Sequence, residues 1–245
     1  MDGKYDIVYV VKDAAPNEEL RYSLRTVEKN WGPHGLVWIF GGCPDGITPD
    51  RFVQVEMILP TKWENIRRQM RLICECDEIT EDFWYFNDDF FVMQPTTENM
   101  PQQYNLTLQS VADLIESWSG GMTSWTKQLR ALIAWAEKEG YGKVNYEVHK
   151  PMLINRKKML AVMDKFPEVF FIRSLYGNFY KIGGHNSADI LVTDPAQGVG
   201  WLADMQPPFI STTEESFAGG EVGCYIRAKF PEPCKYESFP QGGPQ

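Results

Sequence analysis

Short apolar runs and amphipathic segments alternate along the N-terminal part of the chain. Residues 6–11 form an apolar run of the kind found in a parallel strand that is buried on both faces. Asn17 then stands where a helix N-cap is expected, with Glu18 and Glu19 in the first turn. The helix itself is predicted from apolar residues that recur at helical spacing: Leu20, Leu24, Val27 and Trp31.

The same alternation continues further along the chain. Residues 36–40 and 52–57 are predicted strands. Thr61 and Glu64 have the spacing of a capping box, which predicts the start of a second helix. Residues 83–86 form the next predicted strand.

Helical patterns dominate the middle of the chain. Two amphipathic segments, the second ending at Gly140, predict a helical insertion at about residues 102–142. Residues 146–155 are predicted to form a strand, and Asn155 is the predicted cap of a further helix. The remaining predicted elements are a strand at residues 189–192 and a helix at residues 213–230 that is interrupted at Gly219 and Gly220.

This order of elements indicates the fold class. Strands that alternate with helices predict an α/β layer fold with a mostly parallel central sheet, in which ligands gather at the carboxyl ends of the strands. The sequence contains no clear linker, so we expect one domain over residues 1–238. Residues 239–245, rich in Pro and Gly, are the expected flexible tail.

The composition of the chain mainly excludes classes of function. The 245 residues include 33 acidic and 24 basic side chains, for a formal net charge of -9, which disfavours a broad basic surface for nucleic acid. No run approaches the roughly 20 apolar residues of a membrane span, and the N-terminus lacks the features of a signal peptide. We therefore expect a cytoplasmic protein without a membrane span. Five cysteines without a CxxC motif predict reduced, structural thiols.

Three polar residues, Asn87, Asp88 and Asp89, interrupt the most apolar part of the chain. Two adjacent carboxylates are costly to bury unless a cation or hydrogen-bond donors compensate their charge. Mg²⁺ and Mn²⁺ suit carboxylate oxygens at the end of a strand, and either cation would bridge the phosphates of a nucleotide. The alternative is a turn in which these side chains only cap backbone amides.

Four segments of the chain, taken in order, resemble the conserved regions of one enzyme family. Residues 6–30 and the run YFNDDFF at residues 85–91 resemble the first two regions of the Stealth-type sugar-phosphate transferases. Residues 146–155 and 171–184 resemble the third and fourth regions. The chain looks still more similar to short, often phage-encoded proteins described as glycosyltransferases. The resemblance covers most of the chain.

The resemblance implies a GT-A-like nucleotide-diphospho-sugar transferase fold, in which an acidic strand end plays the role of a DxD motif. It places Asp89 on Mn²⁺ or Mg²⁺, Asp88 on the metal or beside the sugar as a catalytic residue, and Asn87 beside the nucleotide sugar. Because the sequence is Asn-Asp-Asp rather than Asp-x-Asp, it stays open which carboxylate contacts the cation. Lys12 and Asp13 follow the first predicted strand, where such a fold receives its nucleotide.

Arg21 and Arg25 lie four residues apart on the first predicted helix, so both guanidinium groups can face one ligand. Their planar forks suit phosphate oxygens, and the resemblance of this segment favours a role in or beside the donor site. A solvated helix face paired with Glu18 or Glu28 is the alternative.

His149 matches a His-x-Pro element in the third region of the resemblance. A histidine can act as a general acid or base near neutral pH or as a metal ligand, although a structural histidine is the alternative. Arg173, in the fourth region, is expected to neutralise charge on a leaving phosphate or else to form a structural salt bridge. Further candidate site residues are Glu147, Asn178, His185 and Asp189, of which the last two would approach the metal from the far side.

Together these features predict a metal-assisted glycosyltransferase that moves a sugar from a nucleotide-diphosphate sugar to an acceptor hydroxyl. The resemblance also permits transfer of sugar-1-phosphate, and a non-catalytic nucleotide-sugar or carbohydrate-binding module is an alternative of another class. Candidate acceptors are modified phage DNA, a protein and a polysaccharide. One basic cluster offers a place for a DNA strand, although a solvated helix face explains it more simply: Lys62, Arg67, Arg68 and Arg71.

Overall fold

The computed structural model describes residues 5–12, 16–97 and 99–238. The strands are β1 Asp6–Val10, β2 Val37–Gly41, β3 Arg51–Gln54, β4 Asp82–Asn87, β5 Phe90–Val92, β6 Gln103–Tyr104, β7 Met152–Asn155, β8 His185–Asn186, β9 Leu191–Val192 and β10 Phe209–Thr212. The helices are α1 Glu18–Asn30, α2 Lys62–Glu75, α3 Leu108–Ser119, α4 Ser124–Glu139, α5 Arg156–Lys165, α6 Ile172–Phe179, α7 Gly200–Met205, α8 Glu214–Gly219 and α9 Glu221–Lys229. The predicted α/β class is confirmed.

The main sheet has the strand order β3-β2-β1-β4-β7. Strands β1 to β4 run parallel to one another, and β7 is antiparallel to β4. The chain first moves outward from β1 to β3 and then places β4 on the other side of β1, so the strand order reverses beside β1. The carboxyl ends of β1 and β4, where Val10 pairs with Asn87, form the switch edge of the sheet, the place where α/β folds bind ligands.

The central strand β1 explains the continuous apolar run at the start of the chain. Ile7 and Tyr9 pack in a core with α1, whereas Val8 and Val10 pack in a core on the other face with α2 and α5. Because successive residues of a strand point to opposite faces, a strand covered by helices on both sides needs apolar residues throughout.

Several helix boundaries lie where capping residues predict them. Asn17 caps α1 by accepting a hydrogen bond from the backbone of Leu20. Thr61 and Glu64 form the predicted capping box of α2, and Asn155 caps α5. The predicted pair of helices in the insertion is present as α3 and α4, and the predicted C-terminal helix is divided into α8 and α9 at Gly220.

Other elements differ from the sequence predictions. The third strand is β3, which ends at Gln54, and the strand expected over residues 146–155 begins only after Pro151, because the residues before it bond to side chains of other segments. Helices α6 and α7 were not predicted. A second sheet, β5-β10-β9, contains the unpredicted strand β10, which runs antiparallel to β5.

Two further expectations concern the ends of the chain and the membrane. The predicted tail, residues 239–245, lies outside the described residues. Within the described ranges, no helix combines the length and the apolar character that crossing a bilayer demands. The five cysteines are free thiols.

Candidate functional site

Asp88 and Asp89 lie in the turn between β4 and β5, at the switch edge. The Nδ2 atom of Asn17 donates a hydrogen bond to Asp88 Oδ2, and the hydroxyl of Ser211 donates one to Asp89 Oδ2 at 2.6 Å. Neither carboxylate forms a salt bridge within the part of the chain that the structure describes. The two carboxylates are therefore held in place by neutral hydrogen-bond donors. No direct ion pair in the described part of the chain compensates their negative charge.

Burial raises the pKa of Asp88 to about 6, and the charge of the adjacent Asp89 adds to the effect. The hydrogen bond from Asn17 and the positive charge of Lys62 act in the opposite direction. Lys62 opens α2, which places a cation within electrostatic range of the carboxylate pair. A ligand that brings positive charge to this edge would therefore relieve an unfavourable interaction.

Glu19 is a third acid at this edge that sequence reasoning assigned only to the first turn of α1. Its Oε1 atom accepts a hydrogen bond from the hydroxyl of Thr212 at 2.5 Å. Burial raises the pKa of Glu19 to about 8, and the charges of Asp89 and Asp88 contribute. The raised pKa favours the protonated form of Glu19 at neutral pH.

The donor set at this edge consists of oxygen atoms, which hard divalent cations prefer. Within the described ranges, no group of three or more His, Cys, Asp or Glu side chains is arranged to hold a metal ion. Asp88 and Asp89 still fit Mg²⁺ or Mn²⁺, because these cations often bind through one or two carboxylates and complete their shell with water and phosphate oxygens. The geometry thus suits a cation that arrives with a phosphorylated ligand.

His149 and Asp189 form a directed pair. One carboxylate oxygen of Asp189 accepts a hydrogen bond from the backbone N–H of His149 at 2.8 Å, and the other lies 2.9 Å from Nδ1. Burial alone would raise the pKa of Asp189, but the hydrogen bond and charge of His149 outweigh it and lower the pKa. Since an ionised carboxylate only accepts, Nδ1 of His149 carries a proton and donates to Asp189. The His149 side chain is 32% exposed, so it is accessible to a ligand.

Arg173 and Glu147 hold the loop that carries His149. Arg173 Nε lies 3.1 Å from Glu147 Oε2, and its Nη1 donates to the carbonyl of Val148 at 2.6 Å. Glu147 Oε1 accepts from the backbone of Ser174 at 2.8 Å. Burial works to lower the pKa of Arg173, but Glu147 outweighs it and the pKa lies above its usual value. The structural salt bridge expected as the alternative is therefore present.

Tyr85 connects this loop to the acidic turn. The guanidinium carbon of Arg173 lies 5.5 Å from the centre of the Tyr85 ring, and the Tyr85 hydroxyl donates to Asn87 Oδ1 at 2.7 Å. On β5, the next strand along the chain, the ring of Phe90 packs edge-on against the imidazole of His149, with centroids 6.4 Å apart. The structure thus brings the second, third and fourth segments of the resemblance together around one edge.

Arg21 and Arg25 do not face this edge as a free phosphate-binding pair. Arg25 donates to Glu237 through Nε at 2.6 Å and Nη2 at 2.8 Å, and Arg21 donates to the same carboxylate at 2.9 Å. Burial works to raise the pKa of Glu237, but the hydrogen bonds from Arg25 and the other donors lower it to about 2. Both guanidinium groups are therefore engaged by Glu237, and their expected role as nucleotide-sugar ligands stays a prediction. They anchor the C-terminal segment to α1, because a buried carboxylate requires these cations.

The remaining candidates are dispersed. Asn178 is buried, and its side-chain amide bonds to the backbone of Val144 and Ser174. His185 lies exposed on β8, and no contact joins its side chain to the acidic pair in the described ranges. Lys12 is exposed directly after β1, at the switch edge. Asp13 lies outside the described residues.

The basic residues of α2 have different partners. Lys62 lies toward the acidic pair, whereas Arg67 donates to the carbonyls of Val169, Met163 and Phe166. Arg71 pairs with Asp164 at 2.5 Å. All three arginines of the cluster line an open groove of about 370 Å³: Arg67, Arg68 and Arg71. Most of this cluster therefore joins α2 to neighbouring segments.

Comparison with known proteins provides no family for the chain. No protein-family model matches it, and no curated protein is significantly similar to it. What is established is an α/β protein with a mixed, mostly parallel sheet and an acidic turn at its switch edge. The resemblance to Stealth-type and phage-encoded transferases stays a prediction that depends on four sequence segments.

Proposed function

We propose that this protein is a metal-assisted glycosyltransferase that uses a nucleotide-diphosphate sugar on a GT-A-like fold. One observation carries the proposal: the carboxylates of Asp88 and Asp89 lie at the switch edge, joined by a chain of contacts to the loop that holds His149. A candidate diphosphate site and a candidate proton acceptor thus share the part of the fold where ligands bind.

Asp88 and Asp89 are the residues that would hold Mg²⁺ or Mn²⁺. Their oxygens match the ligand preference of these cations, and burial, together with the charge of Asp89, raises the pKa of Asp88. When bound, the cation supplies positive charge to the departing nucleotide diphosphate. Lys62 and Lys12 lie near enough to this edge to add cationic charge for the same phosphates.

His149 is the proposed general base. Asp189 fixes Nδ1 as a donor, so Nε2 is free to take the proton of the acceptor hydroxyl. The hydroxyl oxygen then forms a bond to the anomeric carbon while the bond between that carbon and the diphosphate oxygen breaks. The electron pair of the broken bond leaves with the nucleotide diphosphate. Arg173 and Glu147 position the His149 loop and do not contact the reacting atoms in this scheme.

Calorimetric titration with uridine, guanosine, adenosine and thymidine diphosphate sugars, with and without Mn²⁺, tests the proposal. We expect binding of at least one donor to depend on Mn²⁺ and to weaken by about tenfold or more, equal to about 1.4 kcal/mol, in Asp89→Asn. Asp204→Asn removes the same charge from an exposed position in α7 and should bind as wild type does. Equal binding by wild type and Asp89→Asn would reject the metal site.

Mass spectrometry of the products tests the reaction. With DNA, protein and polysaccharide acceptors supplied in turn, sugar transfer adds the mass of the sugar alone, whereas sugar-1-phosphate transfer adds a phosphate as well. Loss of turnover in His149→Gln with retained donor binding would support a catalytic role. Tight donor binding without turnover on any acceptor would instead favour a non-catalytic binding module.

A further inference from the structure

Asn87 ends β4 directly before the carboxylate pair, at the switch edge of the sheet. Its Oδ1 atom accepts a hydrogen bond from the hydroxyl of Tyr85 at 2.7 Å. Its Nδ2 atom forms no hydrogen bond within the described ranges, and it is not one of the partnerless nitrogens that the fold seals from solvent. Both hydrogens of this amide are therefore available to a ligand, at the edge where ligands bind in such folds.

Tyr85 is placed to fix the orientation of this amide. Tyr85 and Asn87 lie two residues apart on β4, so their side chains project from the same face of the sheet. Tyr85 is only 4% exposed, and the guanidinium carbon of Arg173 lies 5.5 Å from the centre of its ring. Burial raises the pKa of the Tyr85 hydroxyl, while the charge of Arg173 acts in the opposite direction. The hydroxyl therefore keeps its proton at neutral pH and can donate it to Oδ1.

We propose that Tyr85 is a positioning residue whose hydroxyl holds Oδ1 of Asn87, so that Nδ2 donates a hydrogen bond to an oxygen atom of the nucleotide-sugar donor. The inference rests on the proposed function. Ionised carboxylates only accept hydrogen bonds, so Asp88 and Asp89 can hold a cation but cannot donate to a ligand oxygen. Asn87 supplies the donor that they lack. Without the Tyr85 hydroxyl, the amide is free to turn over and present Oδ1, an acceptor, to the same ligand oxygen.

NMR spectra of the side-chain amides in the metal-free, ligand-free protein test the orientation. Asn87→Ala assigns the Asn87 signals by their loss. In Tyr85→Phe, which keeps the ring and removes only the hydroxyl, we expect these signals to shift, because the hydrogen bond to Oδ1 is lost. Tyr176→Phe is the matched control, since Tyr176 is 5% exposed and its hydroxyl bonds to the backbone of Asn155. Unmoved Asn87 signals in Tyr85→Phe would overturn the proposal.

A double-mutant cycle tests whether the effect of Tyr85 passes through Asn87. Calorimetry uses uridine, guanosine, adenosine and thymidine diphosphates and their sugar forms, each with Mn²⁺. Asn87→Ala should weaken the affinity for a bound sugar form by about three- to tenfold, the effect of one hydrogen bond. Tyr85→Phe should also weaken it but should add no further loss to Asn87→Ala, and Tyr176→Phe should bind as wild type does. Losses that multiply in the double variant, or wild-type affinity in Tyr85→Phe, would overturn the proposal.

The two forms of each nucleotide locate the ligand oxygen. A loss of affinity for the free diphosphate in Asn87→Ala assigns Nδ2 to the nucleotide diphosphate, and a loss confined to the sugar form assigns it to a sugar hydroxyl. Undiminished affinity for both forms would reject the ligand contact. If wild type binds none of these ligands, the proposed function fails and the ligand contact with it, whereas the amide spectra decide the pairing of Tyr85 with Asn87 without any ligand.

Discussion

Asn17 joins the N-terminus of α1 to Asp88. Its Oδ1 atom accepts a hydrogen bond from the backbone N–H of Leu20 at 2.9 Å, and its Nδ2 atom donates one to Asp88 Oδ2. A single amide side chain thus caps a helix and orients a carboxylate of the candidate metal site. Only a side chain with both an acceptor and a donor can do this, which distinguishes Asn from Asp, an equally good capping residue that only accepts when it is ionised.

The Asn17→Asp variant should separate these two roles. Aspartate keeps the capping oxygen but places a second carboxylate against Asp88, so at pH 8 we expect the free energy of unfolding to fall by about 1–2 kcal/mol. The loss should diminish toward pH 5, below the pKa of about 6 of Asp88, because a protonated Asp88 can donate to the introduced carboxylate. Urea unfolding at both pH values measures the difference. Thr107→Asp, at the exposed cap of α3, should show no comparable pH dependence.

Glu19 should make the protein less stable as the pH rises. Its pKa is raised to about 8 in the folded state, whereas an unfolded glutamate has a pKa of about 4.3. The protonated carboxyl therefore contributes stability that is complete below the unfolded pKa and is lost as the pH rises through about 8. Glu19→Gln keeps a neutral partner for Thr212. Its free energy of unfolding relative to that of wild type should therefore rise by on the order of 1–2 kcal/mol between pH 5 and pH 8.

The exposed neighbour of Glu19 provides the control for this prediction. Glu18 lies in the same helical turn and contacts Arg227 at 3.3 Å, so Glu18→Gln should leave the pH dependence of unfolding nearly unchanged. Urea unfolding at pH 5, 6, 7 and 8 compares the variants. If the unfolding free energy of wild type and that of Glu19→Gln changed equally with pH, Glu19 would be ionised in the folded protein and the prediction would be wrong.

The parts of the fold that could be predicted are those with local signals. The apolar run of β1 follows from its burial on both faces, and Asn17, Thr61 and Asn155 mark helix starts because each cap bonds to a backbone amide three residues away. The acidic turn was also visible, since charges stand out in an apolar segment. Each of these signals depends only on residues that are close together in the sequence, so it can be recognised without the tertiary structure.

The parts that could not be predicted depend on contacts between distant residues. Arg25 binds Glu237, which lies 212 positions away, so helical spacing alone could not reveal that its guanidinium group is occupied. Strand β10 is short and follows two prolines, yet pairing with β5 brings Thr212 to Glu19. The third acid at the switch edge therefore appears only once the second sheet is formed.

Arg25 should be required for stability and not for donor binding. Its side chain is 10% exposed and pairs with the fully buried carboxylate of Glu237. Arg25→Met leaves that carboxylate partly uncompensated, so it should lower the free energy of unfolding by about 3–5 kcal/mol. Arg21 is 30% exposed and makes a single bond to Glu237, so Arg21→Met should cost less. Urea unfolding measures both losses. Where Arg25→Met remains folded, its donor affinity in calorimetry should equal that of wild type. A weaker affinity would instead support a phosphate-binding role for Arg25.

The Arg25–Glu237 pair also predicts an acid limit to stability. Glu237 has a folded pKa of about 2, below the unfolded value of about 4.3. Its contribution is therefore present above the unfolded pKa and is lost as the pH falls through the folded pKa. Glu237→Gln should reduce the difference in unfolding free energy between pH 6 and pH 3. An unchanged difference would place the acid-sensitive group elsewhere.

Asp189 should affect turnover far more than donor binding. In Asp189→Asn the side chain can still accept from the backbone of His149, but it no longer provides the negative charge that stabilises a protonated ring. Its amide can also donate to Nδ1, which would move the ring proton to Nε2 and remove the proposed base. We expect turnover to fall by about 10²-fold to 10⁴-fold, the range of general base catalysis.

The comparison of two measured quantities, turnover and donor affinity, separates this catalytic effect from a structural one. With the donor that calorimetry identifies, the donor dissociation constant should change little in Asp189→Asn, because Asp88 and Asp89 hold the cation in the proposed site. Asp204→Asn, which removes a charge from the exposed surface of α7, should leave both turnover and binding unchanged. If donor binding weakens in parallel with turnover, Asp189 supports the whole site, and the assignment of His149 as a base whose tautomer Asp189 selects would be wrong.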